Sequence, residues 1–292
     1  MKKTSKSILI LVNLCLLLIL CFINSNYIIK NIIDCSMLFL TKLFPVSFLF
    51  YIISSLIISY GIIDIISFIT STNSSKLYLL IISMISGFPS GAKNAKELYD
   101  NKYLSLEEAN EGLIFTHFPN PLFIVGTVGS ILGSKLAIKI LISIFSSNII
   151  LFFIYRKTTN NIKNSINNKY FSLELSKAIN NSFQIMIIVY GTSLFFYIIS
   201  SIITKYIFLN SYLYVFICGI FDLTKGIITS TLINNIIIRS YMVLLFISFG
   251  GLAIHMQVKG ILGEDLSYYY FLKGRIIGTI ISFIIFSFLF VK

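Results

Sequence analysis
The residues with chemical capacity in this chain cluster at four short interruptions of apolar sequence. SGFPSGAK, residues 86–93, closes an uncharged run that begins at Leu77. Gly87 and Pro89 end a helix there, because glycine accommodates the turn and proline cannot donate the next hydrogen bond. Ser90 is suited to cap the following helix, which Gly91 opens and which carries Lys93. In the second interruption, THFPNP, Asn120 is placed to cap and Pro121 to occupy the first helical position, with His117 beside them. The third, GIFDLTK (219–225), holds Asp222 and Lys225, and the fourth, GGLAIHMQ (250–257), holds Gly250, Gly251, His255 and Gln257.

A helix start exposes unpaired N–H groups that together carry roughly half a positive charge. Reinforced by a lysine, such a start binds anions. The substrate-binding expectation is therefore Gly87, Pro89, Ser90, Gly91, Lys93, Asn120, Asp222, Lys225, Gly250, Gly251 and Gln257. His117, His255 and Asp222 are the proton-coupling candidates. Each has a bland counterpart. Gly/Pro kinks also serve packing, a lysine can snorkel to the interface, a histidine can be a hydrogen-bonded packing group, and Asp222 can be a helix cap.

The elements that must hold these residues belong in a membrane. Of 292 residues 57% are hydrophobic and 12% charged, against about 25% charged in soluble domains. Mean hydropathy is +0.91. Uncharged stretches recur at 8–29, 43–63, 77–92, 112–134, 140–155, 178–204, 206–221, 226–238, 240–258 and 276–291. With about 20 apolar residues per crossing, the expectation is an all-α polytopic integral membrane protein of eight or nine spans. The stretches are apolar all round, which argues against a β-barrel. The net charge of +12 lies in loops, pointing to lipid headgroups rather than nucleic acid. The loop from Tyr155 to Lys169, with Arg156, Lys157, Lys163 and Lys169 and no acid, is expected in the cytoplasm. The amino terminus has a basic lead and an apolar core without a small-x-small cleavage site, and reads as an uncleaved first span. Cys15, Cys21, Cys35 and Cys218 form no metal-ligand or redox spacing, so no metal or cofactor is expected.

An internal repeat organises the chain. SFLFYIISSLI (47–57) matches SLFFYIISSII (193–203) at eight of eleven positions. Gly87 and Gly219 lie 132 residues apart, as do Lys93 and Lys225. The expected units are an amino-terminal helix and connector (1–34), a first repeat (35–157) broken at 86–93 and 117–121, a basic loop (158–171), and a second repeat (172–292) broken at 219–225 and 249–252. Each repeat contains a pair of discontinuous helices. Ser105 and Glu108 spell a capping box at the start of the helix before THFPNP.

These motifs resemble those of the sporulation integral membrane proteins of the YlbJ/SpoVV type, built on nucleoside-recognition (Gate) domains. Gly87, Phe88, Pro89, Gly91, Ala92 and Lys93 match the first family motif. Glu108, Ala109, Glu111 and Leu113 match part of the second, with Asn110 intervening. Asn120, Pro121, Leu122 and Phe123 match the third, and Phe249, Gly250, Gly251 and Gln257 the fourth. The resemblance implies a bacterial cell membrane or a membrane around the forespore, and movement of dipicolinate, a rigid pyridine with two carboxylates.

Broken helices at matching positions of two repeats point to a transporter's substrate site. The leading expectation is thus transport of a small organic anion held by backbone N–H groups at the breaks. Transport of nucleosides and a non-transporting scaffold role in a sporulation membrane complex are the alternatives. An intramembrane enzyme is not expected, since HExxH is absent and neither histidine lies beside a Ser or Cys nucleophile with an orienting partner.

Overall fold
The computed structural model describes residues 2–60, 75–100, 102–156 and 170–291. Asp64, Lys157, Lys163 and Lys169, and with them most of the expected basic loop, lie outside these residues. Among the described residues every regular element is helical. The amino-terminal arm is α1 (Lys2–Ile23) and α2 (Ser25–Leu38), which bend by 100° at Asn24, with a π-helical turn, Phe39–Leu43, leading on from α2. The Asn24 amide turns inward at the bend, bonding Leu20 O at 2.7 Å and receiving the Lys205 ammonium.

Six helices follow in the first half: α3 (Phe44–Ser59), α4 (Ser75–Ser86), α5 (Ser90–Asp100), α6 (Leu106–Phe115), α7 (Pro121–Leu132) and α8 (Ser134–Tyr155). Six more make the second half: α9 (Phe171–Tyr206), α10 (Ser211–Phe221), α11 (Leu223–Thr229), α12 (Ile236–Phe249), α13 (Leu252–Leu262) and α14 (Tyr268–Val291). The closing helices of the halves, α8 and α14, pack along one another, and α3 packs on α9. One buried apolar cluster runs through both halves, from Leu79 and Ile82 of α4 to Val243 and Leu244 of α12.

Among the described residues four helices are long and apolar enough to cross a membrane: Ser134–Tyr155, Phe171–Tyr206, Ile236–Leu262 taken through its break, and Tyr268–Phe290. A fifth is added if the bent pair Ser7–Ile23 and Ser25–Leu43 counts as one crossing. This is fewer than the eight or nine expected from the apolar stretches, several of which are interrupted by the breaks. They leave short apolar helices such as Ser75–Ser86 and Ser211–Phe221. Twelve residues of helix are about 18 Å long, a little over half the hydrocarbon thickness of about 30 Å.

Local chemistry sets the helix ends. Ser105 and Glu108 form the reciprocal capping box, at 3.2 and 2.9 Å. Asn120 Oδ1 accepts from Leu122 N and Asp222 Oδ1 from Lys225 N, both at 2.9 Å. Ser90 departs from expectation. The helix begins at Ser90 itself, so this residue lies in the first turn and does not cap it. The reversal is made earlier, by Gly87 at φ +73°, and the Phe88–Pro89 peptide is cis.

Candidate functional site: a chamber where four helix breaks meet
The four interruptions fold into one place. In the first half the two breaks lie back to back: a Cβ on Gly87 would stand 3.1 Å from Asn120 N, and one on Gly91 would overlap the Thr116 carbonyl. In the second half Gly251 sits equally close to its partner break, 3.0 Å from Leu223 N and 3.1 Å from Gly219 O by the same measure. The halves touch where Gly250, at φ +80°, faces the His117 ring. Bulk at these positions would drive the breaks apart.

Between them is a chamber. Pro89, Asn120, Asp222 and Gln257, one predicted residue from each break region, stand on its wall. Ser47, Tyr51, Ser193 and Thr224 add hydroxyls, while Phe88, Phe123 and Val189 are among its apolar lining. Tyr51 donates to Phe88 O at 2.8 Å, fixing the first break against α3. Gln257 donates to Thr192 Oγ1 at 2.9 Å, fixing α13 against α9. Asn120 is 6% exposed, and its Nδ2 has no hydrogen-bond partner in the protein. Water centres have about 40 Å³ inside, room for roughly three waters at ~10–15 Å³ each. This free space is too small for a two-carboxylate pyridine without some widening of the wall.

The two predicted lysines are elsewhere. Lys225 is buried behind the third break, where its Nζ donates to Ser201 Oγ at 2.5 Å, Ser200 Oγ at 2.8 Å and Tyr197 O at 3.2 Å. Ser201 Oγ in turn donates to Asn31 Oδ1 of α2 at 2.7 Å. Lys93 lies on the wall of a second cleft, beyond the chamber.

Both histidines cap a helix end, and neither lines the chamber. The final carbonyls of α12 are taken one after another: Phe246 O by Gly250 N (3.0 Å), Ile247 O by His117 Nε2 (3.2 Å), Ser248 O by Arg275 Nη1 (3.2 Å) and Phe249 O by His255 Nε2 (3.1 Å). A carbonyl only accepts, so each Nε2 carries a hydrogen. His255 Nδ1 pairs with Tyr268 OH at 2.6 Å, and the His117 ring stacks on Phe88 with centroids 4.7 Å apart.

Arg275 carries no motif and escapes sequence reasoning. It is 1% exposed. Beside its bond to α12 it reaches Ile114 O, near the end of α6, and Asn148 Oδ1, each at 3.1 Å. Asn148 Nδ2 completes the tie by donating to His117 O at 2.8 Å. One guanidinium thus joins the helix ends that precede the second and fourth breaks. The chamber serines were legible in principle, since Ser47 and Ser193 are the matched first residues of the repeated segment.

Among the described residues no group of three or more His, Cys, Asp or Glu side chains is arranged to hold a metal ion. Comparison with family models, with curated proteins and with solved structures gives no match.

Proposed function
We propose that the chain is a membrane transporter whose substrate, a small organic carboxylate of the dipicolinate kind, occupies the chamber between two repeats, 35–157 and 172–292. The carrying observation is that residues in or just after four helix breaks distant in sequence line one cavity. Irregular backbone at membrane depth is tolerated where it is buried in protein or lines such a cavity. The order of helices supports the repeat: α3 to α8 correspond in turn to α9 to α14, with breaks after α4 and α6 and again after α10 and α12. On this reading the short apolar half-helices combine into crossings, and eight or nine spans result.

The chamber's chemistry supports a ligand that brings acceptors. Among the buried polar atoms of its wall the Asn120 amide donor has no partner in the protein, and Asp222 already accepts the Lys225 N–H as a cap. A bound carboxylate would satisfy Asn120. The substrate must enter through a conformational change, because the cavity as it stands is too small.

A nucleoside-type solute is the second reading. What favours it is the wall itself, which includes the Asp222 carboxylate and no lysine or arginine. Uptake of labelled dipicolinate and of labelled uridine into proteoliposomes of the purified protein separates the readings. Dipicolinate uptake that excess dipicolinate suppresses and uridine does not is the expected result. The reverse pattern assigns the nucleoside class. Flux of neither solute above protein-free vesicles removes both readings and leaves the scaffold role.

A further inference from the structure
A second cavity stands in register with the chamber. It is an open cleft of about 390 Å³ lined by Lys93, Lys96, Glu97 and Asp100 of α5, Asn181, Gln184, Ile185 and Ile188 of α9, and Ile261 of α13. The chamber uses the same three elements: Pro89 immediately before α5, Val189 and Ser193 of α9, and Gln257 of α13. From Pro89, just before α5, to Lys93 the step is four residues, along α9 from Val189 to Ile185 four, and along α13 from Gln257 to Ile261 four. Four residues are about one helical turn, about 5.4 Å. The cleft is therefore the next layer outward from the chamber on all three helices at once.

Two observations give the direction and content of this layer. The rim is charged: Lys96 bonds Asp100 at 2.8 Å and Asp265 at 2.7 Å, a network that belongs in water. On the same helix, one residue past Lys93, Asn94 is 6% exposed and its Nδ2 has no partner in the protein. A buried amide donor of this kind is ordinarily met by water or a ligand.

From this stacking we infer that the α5/α9/α13 cleft is the water-side vestibule of the chamber, through which small hydrophilic solutes pass beside Lys93 and Asn94 to reach Asn120 and Gln257. The inference rests on the transporter reading for its purpose, but not for its test. It also gives Lys93 a place, on the approach rather than in the closed chamber.

The test uses the full chain with Cys15, Cys21, Cys35 and Cys218 replaced by alanine, in sealed vesicles of known sidedness. Asn94→Cys is exposed to a permanently charged, membrane-impermeant methanethiosulfonate. Labelling from one face only is expected, slowed at least tenfold when Ile188→Trp fills the cleft. Absence of reaction from either face, or an equal rate with the cleft filled, overturns the inference. If Asn94→Cys is not recovered in the membrane, Gln184→Cys on the rim decides. Its labelling by a bulky thiol reagent should lower uptake at least tenfold, and full uptake after complete labelling overturns the vestibule. Should the unmodified chain carry neither dipicolinate nor uridine, the transporter reading fails, whereas the labelling rates still decide whether the cleft opens to the chamber.

Discussion

Removing the Arg275 guanidinium is the sharpest test of how the breaks are held. Arg275 makes three hydrogen bonds, to Ser248 O, Ile114 O and Asn148 Oδ1, from a position 1% exposed. Side-chain hydrogen bonds inside membrane proteins contribute on average about 0.6 and at most about 1.7 kcal/mol each. Three of them come to about 2–5 kcal/mol. Leucine removes the desolvation cost of a buried charge, but it leaves the two helix-end carbonyls without donors, and each unmet group costs about 1–3 kcal/mol. Arg275→Leu is therefore expected to lose about 2–5 kcal/mol. At about 2–4 °C per kcal/mol for a chain of this order, the thermal midpoint should fall by roughly 5–15 °C. Arg275→Lys keeps the charge but not the planar fork, so it should recover only part of that loss. Intrinsic fluorescence has no tryptophan to report on, so the measurement is a thiol-reactive dye on buried Cys35 and Cys218 during heating in detergent. If Arg275→Leu melts with the unsubstituted protein, the guanidinium does not hold the two helix ends together and the reasoning fails.

Further outcomes follow from the same contacts. Gly91→Ala should destabilise by about 1–3 kcal/mol, since its Cβ would overlap the Thr116 carbonyl and overpacking costs that much; Gly260→Ala, with nothing within 4 Å of the added Cβ, should be neutral or stabilising by up to about 1 kcal/mol, and thermal melts of the pair compare them. Asp222→Ala should cost about 0.5–2 kcal/mol through the lost cap on Lys225 N, with Asp222→Asn recovering most of it in the same assay. Lys76, whose side chain is fully buried, bonds Glu111 at 2.5 Å and Tyr155 O at 3.0 Å. Glu111 keeps a quarter of its side chain in solvent, so Lys76→Met should cost about 1–3 kcal/mol, less than breaking a fully buried pair, and Lys76→Met with Glu111→Gln should cost less than the single change.

The breaks were readable because their causes are local. Gly87, Pro89, Asn120, Asp222, Gly250 and Gly251 each have a backbone or capping preference that acts within a few residues, and the chain departs from helix at each of these places. The capping box at Ser105 is of the same kind. What the breaks face was not readable in that way. Lys225 follows its motif but points to hydroxyls of α9, more than twenty positions earlier, and Lys93 faces the neighbouring cleft. The histidines flank breaks as expected, yet their partners are carbonyls of α12, which for His117 lies in the other half of the chain. Arg275 lies within an apolar closing helix, and only its tertiary neighbours reveal its three bonds. Hydropathy likewise counts apolar stretches without distinguishing a full crossing from a half-helix of eleven or twelve residues that ends at a break.

The relay from Lys225 through Ser201 to Asn31 has a practical meaning for anyone wishing to shorten this protein. Asn31 belongs to α2, so trimming the chain to residues 35–292 would discard it. Ser201 would then keep only Tyr197 O, at 2.8 Å, as acceptor beside an interred ammonium, at the spot where the third interruption is anchored. The helix α2 is thus tied to the interior behind the third interruption, and a protein trimmed of it should be expected to lose the shape of that interruption first.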